Sequence, residues 1–187
     1  MKNKTTLIIL ALALAVFLVG ASALYKTLTE SIDANQLATE ATQETEAELI
    51  QAPDFTVYDI DGSEVKLSDF FGKPIVVNFW ASWCGPCKME MPDFNEKYLE
   101  IGDEVTFLMV NMTDGSRETA DVASTFIAEQ GYSFPVFYDT ASSAAMTYGV
   151  YFLPTTFFID AQGNAIAQAT GAIDAATLQK GIDMIYQ

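Results

Sequence analysis

The segment NFWASWCGPCKMEMPDF, residues 78–94, contains both cysteines of this 187-residue chain, Cys84 and Cys87. Only Gly85 and Pro86 separate them. Two thiols at this spacing can bind a metal, close a static disulfide or exchange disulfides with another molecule. The residues around the pair and the composition of the chain decide between these uses.

The cysteine pair follows a predicted strand and opens a predicted helix. PIVVNFW, residues 74–80, is a nearly unbroken apolar run, as expected for a strand buried on both faces. A helix is expected from about Cys84 to Glu100. Cys84 would then lie at the helix N-terminus, where free N–H groups and the helix dipole favour a thiolate. Cys87, one turn later, would resolve the mixed disulfide that Cys84 forms.

The other residues of the motif fit this arrangement. Gly85 lets a partner chain come close, and Pro86, which lacks an N–H, suits the first turn of a helix. Pro92 is expected to kink the helix, because DFNEKYLE continues the helical period after it. Trp80 is expected in the core, whereas Trp83 would shield the disulfide and contact partners.

The composition argues against several other functions. The chain has no histidine, so Cys–His and Ser–His nucleophiles and histidine metal sites are absent. Two cysteines supply half of a four-cysteine zinc site, and no metal or cofactor is expected. The net charge of −16 repels phosphate backbones, which argues against nucleic-acid binding.

The first 25 residues predict a membrane anchor. Lys2 and Lys4 are followed by no charge until Lys26, and residues 5–25 are long enough to span a bilayer and contact its lipid. The lysines should remain in the cytoplasm, which gives a single-pass protein of the cell membrane with an extracytoplasmic C-terminal domain. The alternative is a secreted domain released by signal cleavage near Ala23. Disulfide chemistry is expected in either location.

The rest of the chain divides into a tether and one domain. Residues 26–51 are acidic and polar and are predicted to be a tether. Residues 52–187 are predicted to fold, starting with a hairpin around Asp61-Gly62 and ending with a hairpin and a helix capped by Asp174. Between them, strand-like runs alternate with helices. This pattern predicts an α/β fold with a central mixed β-sheet, helices on both faces and an N-terminal β-hairpin extension.

Two of the predicted helices have apolar faces that can be named. In the helix expected over residues 117–130, the apolar face comprises Val122, Phe126 and Ile127, and Gly131 follows the helix end. The last helix has an apolar face that includes three residues. These are Leu178, Ile182 and Ile185.

Three segments also resemble a known family. FWASWCGPCKMEMP closely resembles the thioredoxin active-site segment. Together with APDF and DGSEVKLSDFFGKPIVV before it and YGVYFLPTTFFIDAQGNAI after it, it resembles the membrane-anchored TlpA/ResA branch of thioredoxin-like proteins, in the AhpC/TSA-redoxin-like superfamily. The resemblance covers nearly all of residues 52–187. It implies a thioredoxin-like fold and thiol–disulfide oxidoreductase activity.

The resemblance also implies roles for individual residues. Cys84 matches the nucleophile and Cys87 the resolving cysteine of a redox-active disulfide. Pro154 matches the cis-proline beside the cysteines, although an ordinary trans-proline starting a strand is the alternative. Leu153 would offer backbone contacts to a bound peptide. Glu90 matches a glutamate of the branch, and its spacing makes it a helix neighbour of Cys87 that could hold the thiol proton; a solvated surface glutamate is the alternative.

The remaining site predictions concern substrate binding and the proton route. Substrate-binding residues are expected to be Trp83, Gly85 and Pro86 together with Leu153. Asn78 stands where cytoplasmic thioredoxins commonly have a buried aspartate. Because an amide cannot take up a proton, Glu90 becomes the better candidate for the proton route.

Within this family, the Gly-Pro pair matches the reducing members, and no histidine stabilises a thiolate inside the motif. The prediction is a protein-disulfide reductase that acts on extracytoplasmic proteins with disulfides, such as apocytochrome c or oxidised surface enzymes. A membrane electron donor would reduce it again after each cycle.

A disulfide-forming oxidase is one alternative. A peroxiredoxin-type peroxidase is another, but its Thr-x-x-Cys site is absent and the sole arginine, Arg117, follows a turn. A binding domain with a static disulfide is the third.

Overall fold

The structure is a computed structural model that describes residues 50–186. The predicted anchor, the cleavage site near Ala23 and nearly all of the predicted tether lie outside the described residues, so they stay predictions. Within residues 50–186, none of the helices combines the length and the apolar character that crossing a bilayer requires.

The described chain alternates strands and helices. The elements in chain order are β1 (Ile50–Gln51), β2 (Thr56–Tyr58), β3 (Glu64–Lys66), a 3₁₀ helix (Leu67–Phe70), β4 (Ile75–Trp80), α1 (Gly85–Ile101), β5 (Thr106–Asn111), α2 (Ala120–Gln130), β6 (Val136–Tyr138), α3 (Ser143–Thr147), β7 (Thr155–Ile159), β8 (Asn164–Thr170) and α4 (Ala175–Ile185).

All the strands join one mixed sheet in the order β1-β8-β7-β4-β5-β6-β2-β3. β4 is central and every residue in it is buried, as its apolar run predicts. It pairs parallel with β5 and antiparallel with β7, so that Val77 lies opposite both Leu108 and Phe157. The predicted hairpins are β2–β3, at one edge of the sheet, and β7–β8. The other edge is β1, whose two residues precede the predicted domain start at Ala52.

Helices cover both faces of the sheet, but unequally. The three longer helices α1, α2 and α4 pack on one face, in a core cluster that contains Val76 and Trp80 of β4. The opposite face, with Val77 of β4, is covered by the short α3 and the 3₁₀ helix. The helices α1 and α2 share a face because both link parallel neighbours and step in the same direction along the sheet, and such crossovers are right-handed.

Helix α2 differs from its prediction at its start and on its buried face. It begins after residue 119 instead of at 117, because Thr119 caps it by accepting a hydrogen bond from the backbone N–H of Val122 (3.2 Å). Val122 is 43% exposed, so its assignment to the apolar face is wrong, and Ala123 is the fully buried residue. Gly131 ends the helix in the left-handed conformation, as predicted.

The other helices agree with the sequence more closely. Asp174 caps α4 by accepting from the N–H of Thr177 (2.8 Å), and the three predicted apolar residues of this helix are buried. Helix α1 starts directly after its N-cap Cys84 and continues past Pro92 to Ile101. These two helices pack on the same face of the sheet, and α1 carries the cysteine pair at its first turn.

Candidate functional site

The two cysteines form a disulfide at the start of α1. Their Cα atoms are 5.3 Å apart. The backbone N–H of Cys87 donates a hydrogen bond to Cys84 Sγ over 3.2 Å. An N–H group aimed at this sulfur, together with the helix dipole, favours the anionic form of Cys84 once the disulfide is reduced.

The two sulfurs differ in their access to solvent. Cys87 is completely buried under the helix, whereas Cys84 keeps a small exposed area. Cys84 also lines a surface groove from which Cys87 is absent. An incoming disulfide can therefore reach Cys84 first, and the geometry gives the two thiols different accessibility.

The groove beside Cys84 brings together the predicted substrate-binding residues Trp83, Gly85, Pro86 and Leu153. Its other lining residues come from the loop after β5, from the residue before α3 and from the chain before β7. They are Met112, Asp114, Ser142, Val150, Tyr151 and Phe152. The Leu153–Pro154 peptide bond that follows is cis, and Pro154 itself is buried.

Large apolar side chains stand exposed around this groove. Tyr151 is 87% exposed, Phe152 is 72% exposed and Trp83 is 42% exposed. Sequence analysis identified only Trp83 among them. The other two occur in the segment VYFLP, where aromatic residues outside a strand precede the proline, and this could have marked them as surface residues. Exposed aromatic rings beside the sulfur of Cys84 suit contact with a partner chain.

Glu90 is buried, with 2% exposure, which contradicts the surface-glutamate alternative. Its Oε1 accepts from Asn78 Nδ2 (2.8 Å) and its Oε2 from the N–H of Ile173 (2.9 Å). Burial is the largest influence and raises the pKa of Glu90 to about 7, although both hydrogen bonds oppose this; the charge of Asp93 adds to the increase. Glu90 is therefore a carboxyl group that gains and loses a proton near neutral pH.

Asn78 links Glu90 to the centre of the sheet. Its Nδ2 donates to Glu90 and also to Thr156 Oγ1 (3.0 Å) on the neighbouring strand β7. Its Oδ1 is buried and has no hydrogen-bond partner among residues 50–186. Because β4 leads directly into the cysteine motif, this arrangement holds the carboxyl group on the face of the sheet that α1 covers.

Arg117 lies on the other side of the cysteine motif. Its guanidinium group stacks over the ring of Trp83, 4.1 Å from the ring centre. Such a contact stabilises both side chains and fixes the orientation of the indole. The sequence suggested Arg117 only for a peroxidase site, so its contact with Trp83 next to the cysteine pair was not predicted.

Residues 50–186 contain no group of three or more cysteine and carboxylate side chains that could hold a metal ion. The site brings together the two sulfurs, the Glu90 carboxyl group and the backbone around the cis-proline.

Comparison with known proteins gives consistent matches. A sequence model of the AhpC/TSA family matches residues 50–168. Thiol-disulfide oxidoreductase ResA of Bacillus thuringiensis subsp. konkukian is 40% identical over 124 residues, which are 65% of this chain and 68% of the relative. ResA of Bacillus subtilis is 32% identical over 146 residues, 78% of this chain and 79% of the relative.

Solved structures match over the same domain. A putative thiol:disulfide interchange protein DsbE from Chlorobium tepidum aligns with a TM-score of 0.64 and 32% identity, covering 72% of this chain and 94% of that one. StoA from Bacillus subtilis aligns with a TM-score of 0.60 and 27% identity, covering 70% and 96%. The exposed lipoprotein thioredoxin Etrx1 of Streptococcus pneumoniae aligns with a TM-score of 0.58 and 33% identity, covering 70% and 99%.

Proposed function

Because this chain belongs to the AhpC/TSA family and is a thiol–disulfide oxidoreductase of the ResA type with a thioredoxin-like fold, we propose that it is an extracytoplasmic protein-disulfide reductase. The observation that carries this proposal is the position of Cys84, which is the N-cap of α1 and opens onto the groove. Cys84 and Cys87 are the proposed redox pair.

The reaction starts from the reduced dithiol. The Cys84 thiolate attacks one sulfur of a substrate disulfide, forming a mixed disulfide and releasing the first substrate thiolate. Cys87 then loses its proton and attacks Cys84 Sγ, which closes the Cys84–Cys87 disulfide and releases the second substrate thiolate. Two electrons pass to the substrate, and each released thiolate takes up a proton. The disulfide form described here is the oxidised end of this cycle.

Glu90 is the proposed acceptor for the Cys87 proton. The two residues are three positions apart on α1, so their side chains share a helix face. A base is most effective when its pKa lies near the working pH, and the pKa of Glu90 is about 7. In the oxidised state, its hydrogen bonds go to Asn78 and Ile173, and Cys87 carries no proton to share.

Substrate binding is proposed for the groove beside Cys84. An extended substrate segment would lie against the backbone of Leu153, next to Pro154, while Phe152 and Tyr151 contact its apolar side chains. A substrate of this kind is a protein that carries a disulfide, and its recognition would depend on apolar contact outside the disulfide itself.

Replacing Phe152 with alanine is expected to lower kcat/KM for a protein disulfide such as insulin by roughly tenfold, because losing this apolar contact costs about 1–2 kcal/mol. Reduction of the small molecule hydroxyethyl disulfide should stay nearly unchanged, since it carries no polypeptide segment with apolar side chains that could pack on Phe152. The matched control is Leu99→Ala, which removes another exposed apolar side chain at the far end of α1. Equal losses on both substrates would contradict a role in substrate binding.

The direction of electron flow follows from the reduction potential of the Cys84/Cys87 pair. The Gly-Pro sequence between the cysteines and the absence of histidine support a reducing pair. The potential, measured by equilibration with glutathione or dithiothreitol buffers, is expected near the thioredoxin value of about −270 mV. Strongly oxidising disulfide-forming enzymes have a potential of about −120 mV, and a value in that range would instead support the oxidase alternative.

The extracytoplasmic location is proposed from the N-terminal sequence. Lys2 and Lys4 before the uncharged residues 5–25 support an anchor with its lysines in the cytoplasm, and a membrane dithiol would then return electrons to the Cys84–Cys87 disulfide. Proteins with disulfides that need reduction occur on that side of the membrane. Apocytochrome c before haem attachment and oxidised surface enzymes are the proposed substrate types.

A further inference from the structure

A second buried carboxylate, Glu118, lies close to the active-site turn. Its side chain is completely buried. Across residues 50–186, Lys97–Glu100 is the single ion pair within 4.0 Å, so Glu118 has no cationic partner there. Its two oxygens contact hydrogen-bond donors only.

The donors come from two segments that flank the site. Oε1 accepts from the backbone N–H of Ser82 (2.8 Å) and from Asn111 Nδ2 (2.6 Å). Oε2 accepts from Ser82 Oγ (2.6 Å). Ser82 is two residues before Cys84, and Asn111 is the last residue of β5. Glu118 therefore joins the turn that carries the nucleophile to the end of the neighbouring strand.

The loop before α2 is built to present Glu118 inward. Asp114 Oδ1 accepts from the N–H groups of Ser116 (2.7 Å), Arg117 (2.8 Å) and Glu118 (3.0 Å). These bonds lower the pKa of Asp114. The N–H of Gly115, whose φ is +73°, donates to the Glu118 carbonyl (3.0 Å). The same loop places Arg117 over Trp83, so it holds both residues that precede Cys84.

Burying a charge without an ion-pair partner is costly, and apolar side chains of similar size would fill the space at least as well. The arrangement is therefore poorly explained by stability alone. We infer that Glu118 is a positioning residue for disulfide exchange: it fixes the Ser82–Trp83 turn so that Cys84 Sγ stays aligned with the N-terminus of α1. This inference rests on the proposed role of Cys84 as the attacking thiol.

The test measures the rate at which Cys84 of the reduced protein reacts with iodoacetamide, as a function of pH. Glu118→Ala should free the turn, raise the midpoint of the profile by about one pH unit and lower the rate at pH 7 roughly tenfold. Glu118→Gln should restore both to within about threefold of wild type, because an amide of the same shape can keep the contacts. Its oxygen would accept from Ser82 N–H and Asn111, and its Nε2 would donate to Ser82 Oγ.

A matched control separates this role from simple loop stabilisation. Asp160→Ala removes a carboxylate that organises the β7–β8 turn through Gln162 and Asn164 (2.8–3.0 Å), on a different turn from the disulfide. It should lower the melting temperature and leave the pH midpoint unchanged. If Glu118→Ala does not fold, Ser82→Ala removes one 2.6 Å bond and should shift the midpoint the same way by less.

The inference is overturned if the folded variant, Glu118→Ala or otherwise Ser82→Ala, keeps the wild-type midpoint. It is equally overturned if Glu118→Gln behaves like Glu118→Ala, because charge and not placement would then be responsible. Failure of the proposed function is a separate result, since it would appear as full disulfide-reductase activity in Cys84→Ser whatever the pH profile of the Glu118 variants.

Discussion

Replacing Cys84 with serine is expected to lower the dithiothreitol-driven reduction of insulin by at least about 10³-fold, because a hydroxyl group cannot form the mixed disulfide. The effect should be this large because Cys84 is the sulfur that lines the groove, and Cys87 is fully buried behind it. The rate of turnover is measured from the precipitation of the insulin B chain. Full activity in Cys84→Ser would contradict the proposed mechanism.

The matched variant is Cys87→Ala, which also removes the disulfide but keeps the attacking thiol. It should lose turnover and accumulate a covalent adduct through Cys84, visible by mass spectrometry and released by dithiothreitol. Cys84→Ser should accumulate no such adduct. Because both variants lack the Cys84–Cys87 disulfide, a difference between them reports on the roles of the two sulfurs and not on the lost cross-link.

Raising the pH from 5 to 8 is expected to lower the free energy of unfolding of the oxidised protein by about 2–3 kcal/mol through Glu90 alone. The pKa of Glu90 is about 7 in the folded protein, against 4.5 for an ordinary glutamate. A raised pKa means that the folded state holds its proton more tightly than the unfolded state. The stabilisation is therefore complete below about pH 4.5 and is lost as the pH rises through about 7.

Urea unfolding at a series of pH values in wild type and Glu90→Gln isolates this contribution. The amide does not titrate, so the difference between the two curves should follow the Glu90 proton, while the rest of the protein titrates equally in both. Glu96→Gln is the control, since Glu96 is an exposed carboxylate on the same helix. Parallel curves for wild type and Glu90→Gln would show that the buried carboxyl group has an ordinary pKa.

Local sequence signals were sufficient for much of the fold. The apolar run of β4, the helix opening at Cys84 and the cap at Asp174 each depend on neighbouring residues, and the structure has all three. The resemblance to the TlpA/ResA branch supplied the thioredoxin-like fold, which the solved structures confirm. It also implied the cis bond before Pro154, which composition could not have predicted.

The errors and omissions occur where distant segments determine a position. Spacing placed Glu90 next to Cys87, but only packing against Asn78 and Ile173 makes it buried. The predicted start of helix α2 was too early. The carboxylate of Asp114 holds Arg117 and Glu118 in a loop, which the helical pattern of the sequence did not indicate. Glu118 at the end of that loop looks like an ordinary acidic residue near a helix start, and its contacts with Ser82 join positions 36 residues apart.

Asn78 Oδ1, which lacks a hydrogen-bond partner within the described domain, bears on how many protons the Asn78–Glu90 pair can hold. If Glu90 becomes neutral, the side-chain amide of Asn78 can flip so that Oδ1 faces the new O–H of Glu90. The hydroxyl of Thr156 can then donate to Oδ1 as well. An aspartate in its place would create a pair of acids that share protons in two overlapping steps. With asparagine at this position, Glu90 is the one group of the pair that titrates. The pair under α1 therefore holds a single proton, which it gains and loses in one step.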